Sequence, residues 1–525
     1  MITVETSSGK WDRFPDLIST FLSQDIVEIA FDGEEVRGYR SPDSPALWIR
    51  DHSDILRTGR YQEAAVRSAV EAFAWTQLPS GRVYDHVVTR AEAGEPENWE
   101  KWVRVPVESD VEYRFVKAAY LAWQATGDFD WMETILPSLE QALSYTLSHE
   151  WRWDEEHELV KRPYTIDTWD FDYTAGRADW LNFQVTEDTF WGLFHGDNSG
   201  VYEAAQCLRT LHETLGRSDR AEYWAEVSRG LRRRANDLLF NGRFYTHFHK
   251  LTPVTIEGVD EEMQLSLSNP IAINRGLATH DMAVSILKEY QCRRRETEAF
   301  AEWFSIDPPF PDGIFGDEKL RKGAYVNGGI MPLAGGELAR AAFEHGFEGY
   351  GHNTLDQYRK MIEATEETYL WYFPDGTPST PEASTSPEAT PTDGWGSSAM
   401  LYAFVEGLCG IVDLGHSFNR VRCAPRWVAA GETEASVEIS YAASRESFAY
   451  GFRHHQNRQS IELDISPEGT TVQLHVLLPE DARPKAVTQG RKRVSHNRTQ
   501  VEGSTYVDAE VKADPDATVE IQYDL

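Results

Sequence analysis

The chain has 525 residues, 41% of them hydrophobic, enough for a large core and, by length, for one large domain with a smaller one beside it. Against 85 acidic residues stand 51 basic ones, twelve Lys and thirty-nine Arg, for a formal net charge of −34; such a solvated acidic coat repels nucleic acid and anionic membranes. Four scattered cysteines without a C-x-x-C spacing, no leader-like N-terminus and no apolar run near the ~20 residues that span a bilayer argue against a disulfide framework, a thiolate zinc site and a membrane anchor, so a soluble cytoplasmic protein with buried free thiols is expected.

In chain order, helical spacing first shows near 13–23, and "ALWIRDHSDILRTGRY" (46–61) reads as a long aromatic and acidic loop. A helix is expected near 60–76, and another in "VEYRFVKAAYLAWQATGD", where Phe115, Ala119 and Ala122 share a face before Gly127 stops it. "LAWQATGDFDWMETILPSLEQAL" and "LHETLGRSDRAEYWAEVSRGLRRRA" each read as helix, Gly-containing turn, acidic N-cap and helix, which is an αα-hairpin seen twice. Further helices are expected near 199–215, 276–290, 294–304, 333–346, 352–365 and 396–411, with "QCRRRETEAF" as a solvated helix start. Long loops at 165–180, 310–329 and 369–396 carry too many aromatic rings for disorder and are therefore candidates for function. After Gly415 the period becomes two in "SVEISY", "SIELDIS", "TVQLHVLL", "YVDAEV" and "ATVEIQY", so 418–525 reads as a β-sandwich domain behind a helical domain at 1–417.

Aromatic residues make up 12% of the chain, and many of its seventeen Trp stand beside carboxylates in those loops, as in "TIDTWDFDYTAGRADW" (165–180). Sugars account for that pairing: their C–H faces stack on aromatic planes, their hydroxyls need charged or amide partners, and glycosidic cleavage needs a carboxylic acid and usually a carboxylate. No Gly-rich phosphate loop is present, and the His-containing stretches lack metal-ligand spacing, so no cofactor or metal is implied.

A helical-hairpin domain of this size with these motifs resembles the six-hairpin, (α/α)6-barrel glycosidases: glucoamylases, trehalases, mannosylglycerate hydrolases, processing α-glucosidases and α-L-rhamnosidases. The resemblance implies a mainly α fold, an (α/α)6 toroid of hairpins, followed here by the C-terminal β-sandwich. "LWIRD" resembles the Trp-x-Arg-Asp loop that grips the terminal sugar in glucoamylase-like enzymes, implying hydroxyl ligands at Arg50 and Asp51 beside Trp48. "TWDFDYTAGR" resembles the trehalase "GWDFSSRW" stretch, whose Asp after Trp is the general acid; this implies Asp170, flanked by Trp169 and Asp172. Burial against Trp169 and Phe171 and repulsion from Asp167 or Asp172 are the means by which a carboxyl is kept protonated near neutrality. "GAYVNGGIMPLAGG" resembles a segment opening a barrel helix in related phosphorylases and hydrolases, implying a contact near Asn327 and Gly328, and "TDGWGSSAMLYAF" resembles the Gly-Trp loop before the last barrel helix, with Asp393 and Trp395 at the pocket.

The second carboxylate departs from the pattern. Where trehalases and glucoamylases place a Glu, this chain has Leu370, Trp371, Tyr372 and Phe373; Trp371 is read as a wall of the pocket. Glu388 is the preferred base, followed by Glu382, with Glu366 and Glu367 further off. The expected function is an inverting, exo-acting glycoside hydrolase acting on a small glycoside or oligosaccharide. The missing acid keeps open a glycoside phosphorylase and a non-catalytic carbohydrate-binding protein.

Overall fold

The computed structural model describes the chain except residues 32–33, 43, 45, 89–101, 104–106, 166–184, 316 and 385–387. Twelve α-helices among the described residues alternate between short and long connections. They are α1 (Phe14–Gln24), α2 (Ile49–Gly59), α3 (Ser68–Trp75), α4 (Val111–Thr126), α5 (Phe129–Thr146), α6 (His195–Thr214), α7 (Ser218–Leu239), α8 (Ser268–Asn274), α9 (His280–Glu296), α10 (Pro332–Glu344), α11 (Glu348–Thr365) and α12 (Gly394–Tyr402). The links from even-numbered helices to the next helix are short. Gly127 closes α4 with φ +66°, and Asp128 caps α5 by accepting the Trp131 N–H at 2.9 Å, the hairpin expected from sequence. The connections entering even helices are all long, so antiparallel alternation brings them out together at one end of the helical region.

Each even helix packs on two others in a closed succession: α2 on α4, α4 on α6, α6 on α8, α8 on α10, α10 on α12, and α12 back on α2. Odd helices lie outside them, as α7 does on α6 and α11 on α10. Burial follows position. Along α7 only Ala221, Trp224, Ser228, Leu231, Ala235 and Leu239 are buried, one stripe at helical spacing, whereas every residue of α2 is buried.

That difference corrects three sequence expectations. The stretch 46–61 is not a loop but a short strand, Ala46–Trp48, followed by α2, in which the charged residues that read as loop, Arg50, Asp51, Asp54 and Arg57, are buried with the rest. The helix near 60–76 is confined to α3. The helix near 294–304 does not form: α9 runs through "QCRRRE", so the basic run is its last turn, where cations complement the helix dipole, and Arg293 is buried against Asp307 at 2.7 Å.

The strand-rich region holds a seven-stranded and a five-stranded sheet. Its five sequence-expected strands are present, and alternate residues are buried along them, as in Glu434–Ser440 and Thr471–Leu477. Two strands come from outside 418–525. Ile2–Thr6 pairs antiparallel with Glu434–Ser440, and Ile411–Asp413 pairs with Arg420–Cys423. All four cysteines are free thiols, and Cys207, Cys409 and Cys423 are buried. Among the described residues no helix is long and apolar enough to cross a membrane.

Candidate active site

At the end where the long connections emerge, the first turn of α2 presents Trp48, Arg50 and Asp51. Strand pairing sets Trp48 opposite His86, and the two rings stack with centroids 3.9 Å apart; the Ile49 N–H donates to the Asp85 carbonyl at 3.0 Å. Arg50 Nε and Nη2 donate to the two oxygens of Asp110 at 2.6 and 2.8 Å, and Nη2 also reaches Glu108. Asp110 and Glu108 are fully buried just before α4. Burial opposes ionisation of Asp110, but the two-pronged Arg50 pair, with Arg114 and Arg162, holds its carboxyl well below the ordinary range. Arg162 lies 3.5 Å from both Glu108 and Asp197, the latter in the first turn of α6.

The N-terminus of α12 meets this group. Asp393 caps the helix by accepting the Trp395 and Gly396 N–H groups, each at 3.0 Å, and the Trp395 indole N–H donates to Asp54 Oδ2 at 2.9 Å. Asp54 lies 2.5 Å from Arg114; burial works against its charge, but Arg114, Arg57 and Arg275 bring it down to about 2. The Gly394 N–H donates to Asp25 at 2.6 Å, and a Cβ at position 394 would stand 2.4 Å from that oxygen. Glycine is thus required there by contact, not by φ.

Three carboxyls behave oppositely to Asp54 and Asp110. Burial raises Asp51 to about 7, with Arg50 opposing the shift and Asp54 adding to it. Burial also raises Asp393 to about 7 against its two backbone hydrogen bonds, and repulsion from Asp51 adds to the rise. Asp25 is raised well above the carboxylate range, by burial first and by Asp393 next. The loop-rich end of the helical region thus combines acids held ionised by arginines with acids whose pKa values burial raises, the division of labour that acid–base chemistry needs.

The remaining sequence-expected residues fall differently. Trp169, Asp170 and Asp172 lie outside the described residues; the chain on either side of them forms paired strands, Leu159–Pro163 with Trp191–Leu193, and the second leads directly into α6. Glu388 is half-exposed and ion-paired with Arg40. Glu382 is exposed in its loop, held below the ordinary range by a backbone hydrogen bond. Asn327 staples its loop: its side chain accepts from the Phe310 N–H at 2.7 Å and donates to the Phe310 and Leu320 carbonyls. Gly328 takes φ +97°, and its N–H donates to Ser305 Oγ at 2.9 Å, a turn requirement. Trp371 is fully buried, stacked near Tyr325.

Sequence reading missed Asp25, Asp54, Asp85, Glu108, Asp110, Asp197, Arg114 and Arg162. The only local hint was the run of acids in "VESDVEYR" before an apolar helix, which a capping pattern explains equally well.

No family model matches the sequence, and no curated protein sequence matches it. Solved structures do. An α-L-rhamnosidase from Dictyoglumus thermophilum aligns with 99% of this chain and 50% of its own at 11% identity and a TM-score of 0.59. The Streptomyces avermitilis α-L-rhamnosidase, solved with L-rhamnose, aligns with 99% of this chain and 42% of its own at 13% identity and a TM-score of 0.58. The mannosylglycerate hydrolase of Thermus thermophilus, solved with glucose, aligns with 75% of this chain and 99% of its own at 13% identity and a TM-score of 0.53. The chain thus spans half or less of the length of these two rhamnosidases and aligns with nearly the whole of the smaller hydrolase. With its twelve helices, the even-numbered ones packed in closed succession, and its strand-rich region, this chain has the six-hairpin glycosidase fold seen in those glycoside hydrolases.

Proposed function

We propose that the protein is an inverting, exo-acting glycoside hydrolase that releases a terminal sugar from a small glycoside or oligosaccharide. The observation that carries the reading is the meeting of a Trp-Arg-Asp turn on α2 with an Asp-Gly-Trp turn on α12, tied by the Trp395–Asp54 hydrogen bond, at the loop-rich end of a fold shared with glycoside hydrolases. In this reading the twelve helices close as an (α/α)6 barrel within residues 1–417, and 418–525 supply most of a β-sandwich. Trp48 and Trp395 face the sugar's apolar side, and Arg50, Asp51 and Asp393 hold its hydroxyls. Asp170 protonates the glycosidic oxygen. Glu388, half-exposed beside Arg40, directs water at the anomeric carbon; inversion requires its carboxyl to stand roughly 6.5–9.5 Å from that of the acid. Two buried carboxyls with raised pKa values, Asp51 and Asp393, stand where a hydroxyl can accept or donate to either form.

An aryl-glycoside screen in phosphate-free buffer tests the proposal, with proton NMR reading the anomer first released. The expected result is phosphate-independent release with inverted configuration, abolished by Asp170→Asn at unchanged circular dichroism. Full activity of Asp170→Asn would refute its role as acid, and a retained anomer would refute inversion.

A further inference from the structure

The acids at the end of the helix ring are not all alike in their partners. Asp25 accepts a backbone N–H, Asp54 and Asp110 pair with arginines, Glu108 reaches Arg50, Asp197 reaches Arg162, and Asp393 caps α12. Asp85 differs. Its side chain is fully buried, and neither carboxylate oxygen has a hydrogen-bond partner among the described residues. Among the described residues the nearest basic nitrogen is Nδ1 of His86 at 3.6 Å, itself without a hydrogen bond among them. Arg50 feels the charge of Asp85, yet already carries Asp110 on two prongs and Glu108 on a third contact, so Asp85 is not needed to neutralise it.

A buried carboxylate without donors is costly to the folded chain, and such groups persist where a working partner supplies the donors. The position of Asp85 indicates that partner. Its carbonyl accepts from the first residue of α2, one residue after Trp48, and the next ring, His86, stacks on Trp48 at 3.9 Å. The carboxylate therefore lies at the Trp48–Arg50 corner of the site, beside a half-buried indole.

We propose that Asp85 is a sugar-binding residue whose two free oxygens accept hydrogen bonds from a pair of adjacent hydroxyls on an uncharged sugar held against Trp48. The inference rests on the reading of this end of the ring as a carbohydrate site and adds its substrate class. A vicinal diol presents two O–H donors at a spacing that one carboxylate can accept together, whereas a uronate would set a second negative charge among Asp85, Glu108 and Asp51. Neutral sugars with neighbouring free hydroxyls fit; uronic acids do not.

The test titrates the full chain by calorimetry with D-mannose, D-glucose, L-rhamnose and D-glucuronate, then repeats the best binder as its singly deoxygenated analogues, in the wild type and in Asp85→Asn. Expected are binding of at least one neutral sugar but not of glucuronate, and affinity weakened about tenfold or more in Asp85→Asn. Loss of one of two adjacent hydroxyls should weaken the wild type by a similar factor while leaving the variant nearly unchanged. Because the substitution removes a buried charge lacking donors, the melting temperature of the sugar-free variant should rise, which a merely structural Asp85 would not allow. Equal affinity in both proteins, equal sensitivity to deoxygenation, binding of glucuronate, a fall in melting temperature, or no binding of any sugar by the wild type would each overturn the proposal. Sugar binding without turnover of any aryl glycoside would instead refute hydrolysis and leave Asp85 as assigned.

Discussion

Gly394→Ala tests the junction between α1 and α12 most directly. The new Cβ would lie 2.4 Å from Asp25 Oδ2 and 3.3 Å from Asp25 Cγ, closer to the oxygen than real Cβ atoms stand to any atom. Asp25 cannot swing away freely: it is buried at the end of α1 and is the acceptor of the Gly394 N–H at 2.6 Å. Moving it leaves a buried N–H unsatisfied, about 1–3 kcal/mol, and overpacking a filled site costs about 1–3 kcal/mol more, so destabilisation of about 2–6 kcal/mol is expected. Urea unfolding followed by tryptophan fluorescence at constant m-value reads it. The cause is isolated by adding Asp25→Ala, which removes the obstructing carboxyl. Asp25→Ala alone loses the acceptor, but Gly394→Ala on that background should cost less than about 1 kcal/mol, giving a coupling of about 1 kcal/mol or more between the two sites. Additive effects, or a single-variant loss below about 0.5 kcal/mol, would refute the contact argument.

Two other outcomes follow from the same geometry. Asp393 has a folded pKa raised to about 7, first by burial, so between its unfolded value and 7 the folded chain binds the extra proton and loses stability as pH rises. Asp393→Asn, which keeps an N-cap oxygen, should therefore gain on the wild type from pH 4 to 7, by up to about 4 kcal/mol, and the two stability curves should run parallel above pH 8; parallel curves throughout would refute the shift. Asp128→Ala removes the α5 cap at the far end of the helical region and should cost about 1 kcal/mol in unfolding experiments without changing the kinetics of the proposed hydrolysis; an altered KM would contradict the assignment of the proposed site to the other end.

Gly127 and Asp128 announced the α4–α5 hairpin because both act within a few residues of backbone: the glycine adopts a left-handed φ without steric cost, and the carboxylate caps the turn that follows. The strands after Gly415 were legible for a similar reason, since a one-sided sheet imposes period two on its own sequence. The first strand of the larger sheet was not, because Ile2–Thr6 finds its partner over four hundred residues away, at Glu434–Ser440, and nothing local records that choice.

The site divides in the same way. "LWIRD" and "TDGWG" place Trp48, Arg50, Asp51, Asp393 and Trp395 at the starts of α2 and α12, because short turns with fixed residue types recur where a helix begins. What those residues face was decided only by the closure of the even helices on one another. That closure buries α2 on every side, sets Asp54 against Trp395 and Arg114, places Asp25 under Gly394, and leaves Asp51 and Asp393 buried and near enough for the charge of Asp51 to raise the pKa of Asp393. The amino-acid order fixes hairpins, caps and strand alternation, since these are properties of neighbouring residues. Pairings of charge across the ring, and with them the protonation states on which the chemistry depends, arise only when low-dielectric packing brings carboxylates from α1, α2, α4, α6 and α12 together.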